Sequence, residues 1–293
     1  MRIAECDSLA PLLLSIVVLA WNSERTIEAC IEAVLEQAAG DGIAVELLVV
    51  DNGSVDLTSR ILALLAKEHE NVRIVSLCKN MGTTKSRNMA LRRCRGTFIM
   101  VLDSDAFVRS GVLAQLVADL QSDSSLGIVG PRLQLPSGDT QASCKRFPTL
   151  HGKALNFLPW DWSRQLGTRD ERYPSSVYDV TSTAVVRVDH VISAAWMMRR
   201  RLLDGVGFFD ERIFYAPEDV DYCLRTWLAG WTVGYDNRVT VLHETQQLGH
   251  SSALFALRLM GGLLYYFTKY HYAFSRKGVY RRVAAAVQHR LPA

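Results

Sequence analysis

A chain of 293 residues with 49% hydrophobic and 22% charged residues reads as an ordinary globular protein of one large domain or two abutting ones. That balance excludes a disordered or collagen-like chain, and the length removes any need for disulfide staples. The 33 Lys and Arg nearly cancel the 30 Asp and Glu, so no nucleic-acid partner is expected.

Residues 13–20 form a continuous apolar run of strand length, and residues 26–37 place Ile27, Ile31, Val34 and Leu35 on one helical face. The cycle repeats with a strand over 45–50, a helix over 57–67, a strand over 72–76, a helix over 84–93 and a strand over 97–102. Continuous apolar strands alternating with helices predict a mostly parallel α/β sheet covered on both faces. Past residue 110 the pattern loosens into a helix over 112–120, a short strand at 128–129 and a turn at 136–139. Residues 145–182 mix Trp160, Trp162, Tyr173, Tyr178 and charges without periodicity, and read as a variable loop region suited to a wall or lid. β character returns over 185–198, followed by a helix over 218–228 and a strand over 231–243. Helical patterns over 251–270 and 278–288 close the chain.

That tail is basic. From His243 onward Arg258, Lys269, Arg276, Lys277, Arg281, Arg282 and Arg290 face a single acid, Glu244, which leaves the body before it acidic. Two apolar stretches are tested against a membrane. Residues 9–20 are too few to span one and lack a basic leader beyond Arg2. Residues 253–267 are interrupted by Arg258 and flanked by Tyr265, Tyr266, Tyr270 and Tyr272, a composition able to lie on a membrane but not to cross it. The cysteines Cys6, Cys30, Cys78, Cys94, Cys144 and Cys223 form no CxxC pair and mostly sit in apolar runs, as free thiols of a reducing, cytoplasmic compartment do.

Ligands on parallel sheets bind beyond the carboxyl ends of the strands. Here the first four strands end in Trp21-Asn22-Ser23-Glu24, Asp51-Asn52-Gly53-Ser54, Asn80-Met81-Gly82 and Asp103-Ser104-Asp105. Turn and capping chemistry accounts for any one such loop, but all of them on one rim make a pocket. Asp103 and Asp105, two apart on an extended chain, point to the same side, and such carboxylates repel unless a cation lies between them. A hard ion such as Mg²⁺ or Mn²⁺ binds one or two carboxylates together with substrate phosphates. Further along, Pro217 sets a helix start with Glu218 and Asp219 in the first turn, where any helix favours negative charge. Arg225 stands one turn beyond Asp221, so one of Asp219 and Asp221 pairs with it and the other is free to act as a general base. With a metal invoked, His243 at a strand end becomes a candidate third ligand.

The stretches SIVVLAWNSE from Ser15, ELLVVDNGSVDLT from Glu46, SRNMALRRCRGTFIMVLDSDAFV from Ser86 and GFFDERIFYAPEDVDYCLRTWLAGW from Gly207 together resemble family 2 inverting glycosyltransferases of the GT-A fold. GPRLQLPSGDTQASCKRFPTL from Gly130, VDHVISAAWMMRR from Val188 and the KYHY-containing tail look like a bacterial rhamnosyltransferase-like branch. The resemblance implies a mostly parallel Rossmann-like sheet flanked by helices, with C-terminal helices. Residues 1–108 would be the nucleotide-sugar-binding half, 109–245 the acceptor-binding and catalytic half, and 246–293 a basic, aromatic helical element. It also implies that a nucleotide base sits against Ala20, Trp21 and Glu24, and that Asp51 accepts the N3–H of uracil or thymine. Gly82, Arg87, Asp103 and Ser104 would line the rest of the nucleotide-sugar site, and Asp103, Asp105 and His243 would hold Mg²⁺ or Mn²⁺. Asp219 falls at the catalytic base, with Glu218 the nearer alternative. The chain departs from the family pattern in having Trp21 where Tyr is usual, His190 where Trp is usual, and Ser193-Ala194 in place of a Gly-Ala pair. The last two lie near the donor sugar and acceptor, and leave the sugar open.

The implied activity is inverting transfer from a nucleotide diphospho-sugar, with dTDP-rhamnose or a UDP-sugar as leading donors. The acceptor would be a glycan or lipid-linked hydroxyl in cell-surface polysaccharide biosynthesis. A catalytically inactive sugar-nucleotide-binding or scaffold protein on the same fold is the alternative, and the presence of both the DxD and Glu218-Asp219 speaks against it. A nucleotidyltransferase would open with a Gly-rich basic loop where this chain has AWNSE. A glycosidase would have no use for a base-binding Asp51 beside a diphosphate site. The tail stays open between helices packed on the body and an amphipathic element attracted to anionic lipid on the cytoplasmic face of the membrane.

Overall fold

The computed structural model describes residues 13–178, 184–245 and 253–290. Residues 9–12 of the first apolar run, and 246–252 where the first tail helix was expected to start, lie outside the described residues. The first half follows the expected alternation: β1 (Leu13–Ala20), α1 (Ile27–Gly40), β2 (Ala44–Asp51), α2 (Thr58–Glu68), β3 (Val72–Ser76), α3 (Thr83–Leu91) and β4 (Phe98–Asp103). β1 pairs in parallel with both β2 and β4, and β2 with β3, which puts the polar loops after these strands on one rim. Period-two geometry sends Leu14, Ile16 and Val18 of β1 into the core that holds Ile27, Ile31 and Val34 of α1. Val17 points the other way, into a second core with Ile99, Val101 and Trp196.

The second half contains β5 (Ala106–Val108), α4 (Val112–Ser122), β6 (Leu126–Gln134), β7 (Thr140–Gln141), β8 (Cys144–Lys145), α5 (Leu150–Phe157) and α6 (Asp161–Glu171). Then come β9 (Val186–Arg187), β10 (His190–Val191), β11 (Ala195–Arg199), α7 (Leu202–Gly205), α8 (Glu218–Leu228), β12 (Thr232–His243), α9 (Ala253–Tyr270) and α10 (Lys277–Arg290). The main sheet runs β3-β2-β1-β4-β11-β6-β12-β5, with β7 and β9 added at β6 and β12. β11 is antiparallel to β4 and β6, β12 parallel to β6, and β5 antiparallel to β12. β8 and β10 form a separate small sheet.

Two expectations are corrected. Part of the stretch read as a loop, 145–182, is helical, in α5 and α6. Their contact is made by small and polar residues, so it leaves no apolar period: a Cβ on Gly167 would lie 2.4 Å from the Gly152 carbonyl oxygen. The DxD is not an extended segment either. β4 ends at Asp103, a turn carries Ser104 and Asp105, and β5 begins at Ala106. The turn serves pairing geometry, because β5 must reverse to join the far edge of the sheet through β12.

Both tail helices pack on the body. Leu263, Tyr266, Phe267, Tyr270 and Val279 form a third core with Phe147, Val220 and Leu224. Two of the tail's basic residues are spent inside: Lys269 bridges Asp210 at 2.9 Å and Asp221 at 2.6 Å, and Arg276 pairs with Asp170 at 2.6 Å. Among the described residues no helix is long and apolar enough to cross a membrane. Cys30, Cys78, Cys94, Cys144 and Cys223 are free thiols, with Cys78 exposed and Cys94 half-buried.

Candidate active site

The rim loops are knitted together by short polar side chains. The Ser23 and Ser104 hydroxyls lie 2.7 Å apart, joining the loop after β1 to the DxD turn. The Ser23 amide donates to Thr58 Oγ1 at 2.7 Å, and Asn22, with φ 50°, donates its amide to Ser54 Oγ at 2.9 Å. Ala20 is buried at the end of β1, where its carbonyl accepts the Asn52 amide, and Trp21 is half-buried beside it. Glu24 is exposed and accepts the Leu57 amide at 3.0 Å. Asp51 is 2% exposed; it accepts the Ser54 amide at 3.0 Å and the Ser59 hydroxyl. Asn52 holds the loop after β3 by accepting from the Met81 amide and the Ser86 hydroxyl.

Gly82 ends that loop with φ 84°, and a Cβ there would lie 2.4 Å from the Phe214 carbonyl oxygen. The same carbonyl accepts the Thr83 amide at 2.7 Å, and Thr84 Oγ1 donates to the Ile213 carbonyl at 2.6 Å. The start of α3 is thereby fastened to the segment leading into α8, and Gly82 is where two backbones come too close for a side chain.

Arg87 is the hub. Only 1% exposed, it donates to Asp103 at 2.5 Å, to the Ser193 hydroxyl at 2.7 Å and carbonyl at 3.1 Å, and to Glu218 at 3.4 Å. Ser193 in turn donates to Glu218 at 2.9 Å. One buried guanidinium thus ties the DxD to the first turn of α8. Burial raises Asp103 above the usual carboxylate range and Arg87 opposes it, while Asp105 raises it further. Burial, with Asp219 beside it, pushes Glu218 up to about 8 against the pull of Arg87. Asp219 is less enclosed; burial raises it too, and its carboxylate accepts the Val220 amide at 2.7 Å. Asp221 takes the structural role expected for one of the pair, meeting Arg225 at 2.9 Å, Lys269 at 2.6 Å and Tyr270 at 2.8 Å.

Ligand atoms of Asp103, Asp105 and His243 lie within 4.8 Å of one another. β12 delivers His243 opposite Ala106, next to the DxD turn. His243 Nδ1 lies 2.7 Å from Gln141 Oε1 and Nε2 lies 3.4 Å from Asp105. With Nδ1 donating to Gln141, Nε2 presents its lone pair to the carboxylates, which suits a divalent cation and is repulsive without one or a proton. Burial alone would lower His243, but Asp105 and then Asp103 outweigh it and hold it above its ordinary value. This donor set of two carboxylates and one imidazole fits Mg²⁺ or Mn²⁺.

The residues anticipated from the sequence at Asp103, Asp105, His243, Arg87 and Glu218-Asp219 therefore converge. Ser193, Gln141 and Ser23 also join this network, although the sequence reading gave none of them a role of its own. Ser193 was visible only as half of a Ser-Ala pair replacing Gly-Ala, and nothing in the sequence marks Gln141 as the partner of His243.

A family model described as glycosyl transferase family 2 matches residues 15–205. The chain is similar to chondroitin synthase of Escherichia coli, 37% identical over 117 residues that make 40% of this chain and 16% of the relative. It is also similar to the succinoglycan biosynthesis protein ExoO of Rhizobium meliloti, 39% identical over 101 residues, 34% of this chain and 28% of the relative. The matched part thus spans well under half of these curated relatives. Among solved structures, the mannosyltransferase PcManGT from Pyrobaculum calidifontis, in complex with GDP-Man and Mn²⁺, superposes with a TM-score of 0.62 at 19% identity, covering 96% of this chain and 71% of the other. The architecture is the GT-A fold.

Proposed function

The chain belongs to glycosyl transferase family 2, and from that premise we propose that it is an inverting sugar transferase. Its donor is a nucleotide diphospho-sugar, dTDP-rhamnose or a UDP-sugar, and its acceptor is a hydroxyl of a glycan or lipid-linked saccharide in cell-surface polysaccharide biosynthesis. The observation that carries this reading is the coupling of the Asp103, Asp105 and His243 cluster to Glu218-Asp219 through the buried Arg87. An inactive binding protein would have no need to hold a general base in register with a diphosphate site.

In this reading Ala20, Trp21, Glu24 and Asp51 receive the nucleotide base, and Gly82, Arg87, Asp103 and Ser104 line the path toward the diphosphate. Asp103, Asp105 and His243 would hold Mg²⁺ or Mn²⁺, whose bound charge offsets the charge developing on the departing diphosphate. Asp219 accepts the proton of the acceptor hydroxyl as that oxygen bonds to the anomeric carbon. The bond from that carbon to the diphosphate breaks on the opposite face, its electron pair leaving with the diphosphate, and the configuration inverts. Glu218, fixed by Arg87 and Ser193, is less accessible than Asp219 and positions the turn. Exposed Phe274, Lys277 and Arg281 support peripheral attachment at an anionic, cytoplasmic membrane face. Charge reversal at Lys277 and Arg281 should then release the protein from anionic vesicles.

The test of the reaction is release of UDP or dTDP across a donor panel, with Mn²⁺ and with EDTA. Turnover of one donor that is lost in EDTA supports the reading. Nucleotide binding without turnover of any donor favours the inactive alternative.

A further inference from the structure

A second charged group lies beside Asp219, outside the chemistry assigned above. The β8–β10 ladder sets Lys145 opposite His190. α8 packs on the same ladder, with Cys223 Sγ 3.9 Å from the Val191 carbonyl oxygen. Asp219, in the first turn of α8, lies in the field of both Lys145 and Lys153. Lys153 is already paired, at 2.8 Å, with the buried Glu171. Lys145 differs: it is half-buried between the cations Lys153 and Arg172 and the carboxylates of Glu171 and Asp219, which act on it through space, and among the described residues it makes no direct ion pair or hydrogen bond. His190 is 3% exposed, and neither of its ring nitrogens makes a well-formed hydrogen bond, although the Arg146 main chain lies near. An ammonium that the carboxylates of Glu171 and Asp219 reach only from beyond ion-pair distance and a buried imidazole without a well-formed hydrogen bond both cost stability. One anionic group with several oxygens would satisfy both.

We propose that the acceptor carries an anionic oxygen group, a sugar carboxylate or a phosphate ester, and that Lys145 with His190 binds it beside Asp219. The inference rests on the transferase reading and narrows its acceptor class. Binding the anion at Lys145 fixes one end of the acceptor and leaves a neighbouring hydroxyl to meet Asp219. A neutral His190 suits this role, because it can donate one N–H to the anion without adding a charge beside two lysines.

The test is calorimetry on the full chain with UDP and Mn²⁺ present. Methyl glucuronide is compared with methyl glucoside, and glycerol phosphate with glycerol. At least one anionic probe is expected to bind tighter than its neutral partner by about tenfold, the factor a charge-assisted hydrogen bond supplies. The winning pair tells an acidic sugar from a phosphate ester. Lys145→Gln abolishes the preference, Lys145→Arg retains most of it, and UDP affinity is equal in all proteins. Equal binding within both pairs, absence of binding by every probe, or a preference that survives Lys145→Gln overturns the inference. If UDP or dTDP binds normally in that event, the transferase reading stands; if the parent binds neither, both fall.

Discussion

Replacing Glu218 by Gln probes the buried carboxyl that adjoins the proposed base. Glu218 is 6% exposed, accepts from Ser193 at 2.9 Å and Arg87 at 3.4 Å, and is pushed from 4.5 up to about 8 by burial and by Asp219. The folded protein therefore keeps a proton that the unfolded chain releases. The contribution of this group to stability is fully present below about pH 4.5 and is lost as the pH rises through about 8. Across that window each pH decade costs about 1.4 kcal/mol, on the order of 5 kcal/mol in all. Gln keeps the shape and can still accept from Ser193 and Arg87, but it does not ionise. Urea unfolding of parent and variant in EDTA, from about pH 5 to pH 8, should show the variant gaining several kcal/mol relative to the parent as pH rises. A difference that stays constant across that range refutes the buried carboxyl beside Asp219 described for this site.

Four further outcomes follow from the same geometry. Asp219→Asn should lower turnover by about 10²- to 10⁴-fold in a nucleotide-release assay while UDP binding is unchanged; a variant as active as the parent excludes Asp219 as the base. Gln141→Leu, which frees His243 Nδ1, should weaken Mn²⁺ binding by about 10- to 100-fold in a metal titration. In the parent, Mn²⁺ affinity should fall as the pH drops through the raised His243 pKa, since the proton and the metal compete for Nε2. Gly82→Ala places a Cβ 2.4 Å from the Phe214 carbonyl oxygen at φ 84°, so thermal or urea unfolding should register a loss on the order of 2 kcal/mol or more. An unchanged midpoint would mean that the contact between α3 and the approach to α8 is not tight.

The alternation of continuous apolar runs with amphipathic faces was enough to read β1 through β4 and the helices between them, because a strand covered on both sides must be apolar throughout. The same rule located the rim loops and the DxD. It failed at α5 and α6, where Gly152, Gly167 and polar side chains make the contact. It failed again at the DxD itself, where a turn and not an extended segment brings Asp103 and Asp105 together. The pairing of an acid with Arg225 was legible from helical spacing, but which acid was left over became clear only when Lys269 and Tyr270 of α9 closed on Asp221. Likewise, the sequence left open whether the basic tail packs on the body, and the ion pairs of Lys269 and Arg276 with Asp210, Asp221 and Asp170 join residues distant along the chain.

Local order, the parallel sheet and the residue types able to bind a diphosphate or carry a proton are set by periodicity and by polar residues at strand ends, which are properties of neighbours along the chain. What those residues do to one another was decided by tertiary structure. Arg87 reaches Asp103 at the end of β4, Ser193 in the turn before β11 and Glu218 at the start of α8, and Gln141 orients His243 across 102 residues of sequence. Lys145 is left in the field of Asp219 and Glu171 without a direct ion pair to either. Electrostatic pairing and burial act through space, so the charge state of each group depends on contacts that only folding creates.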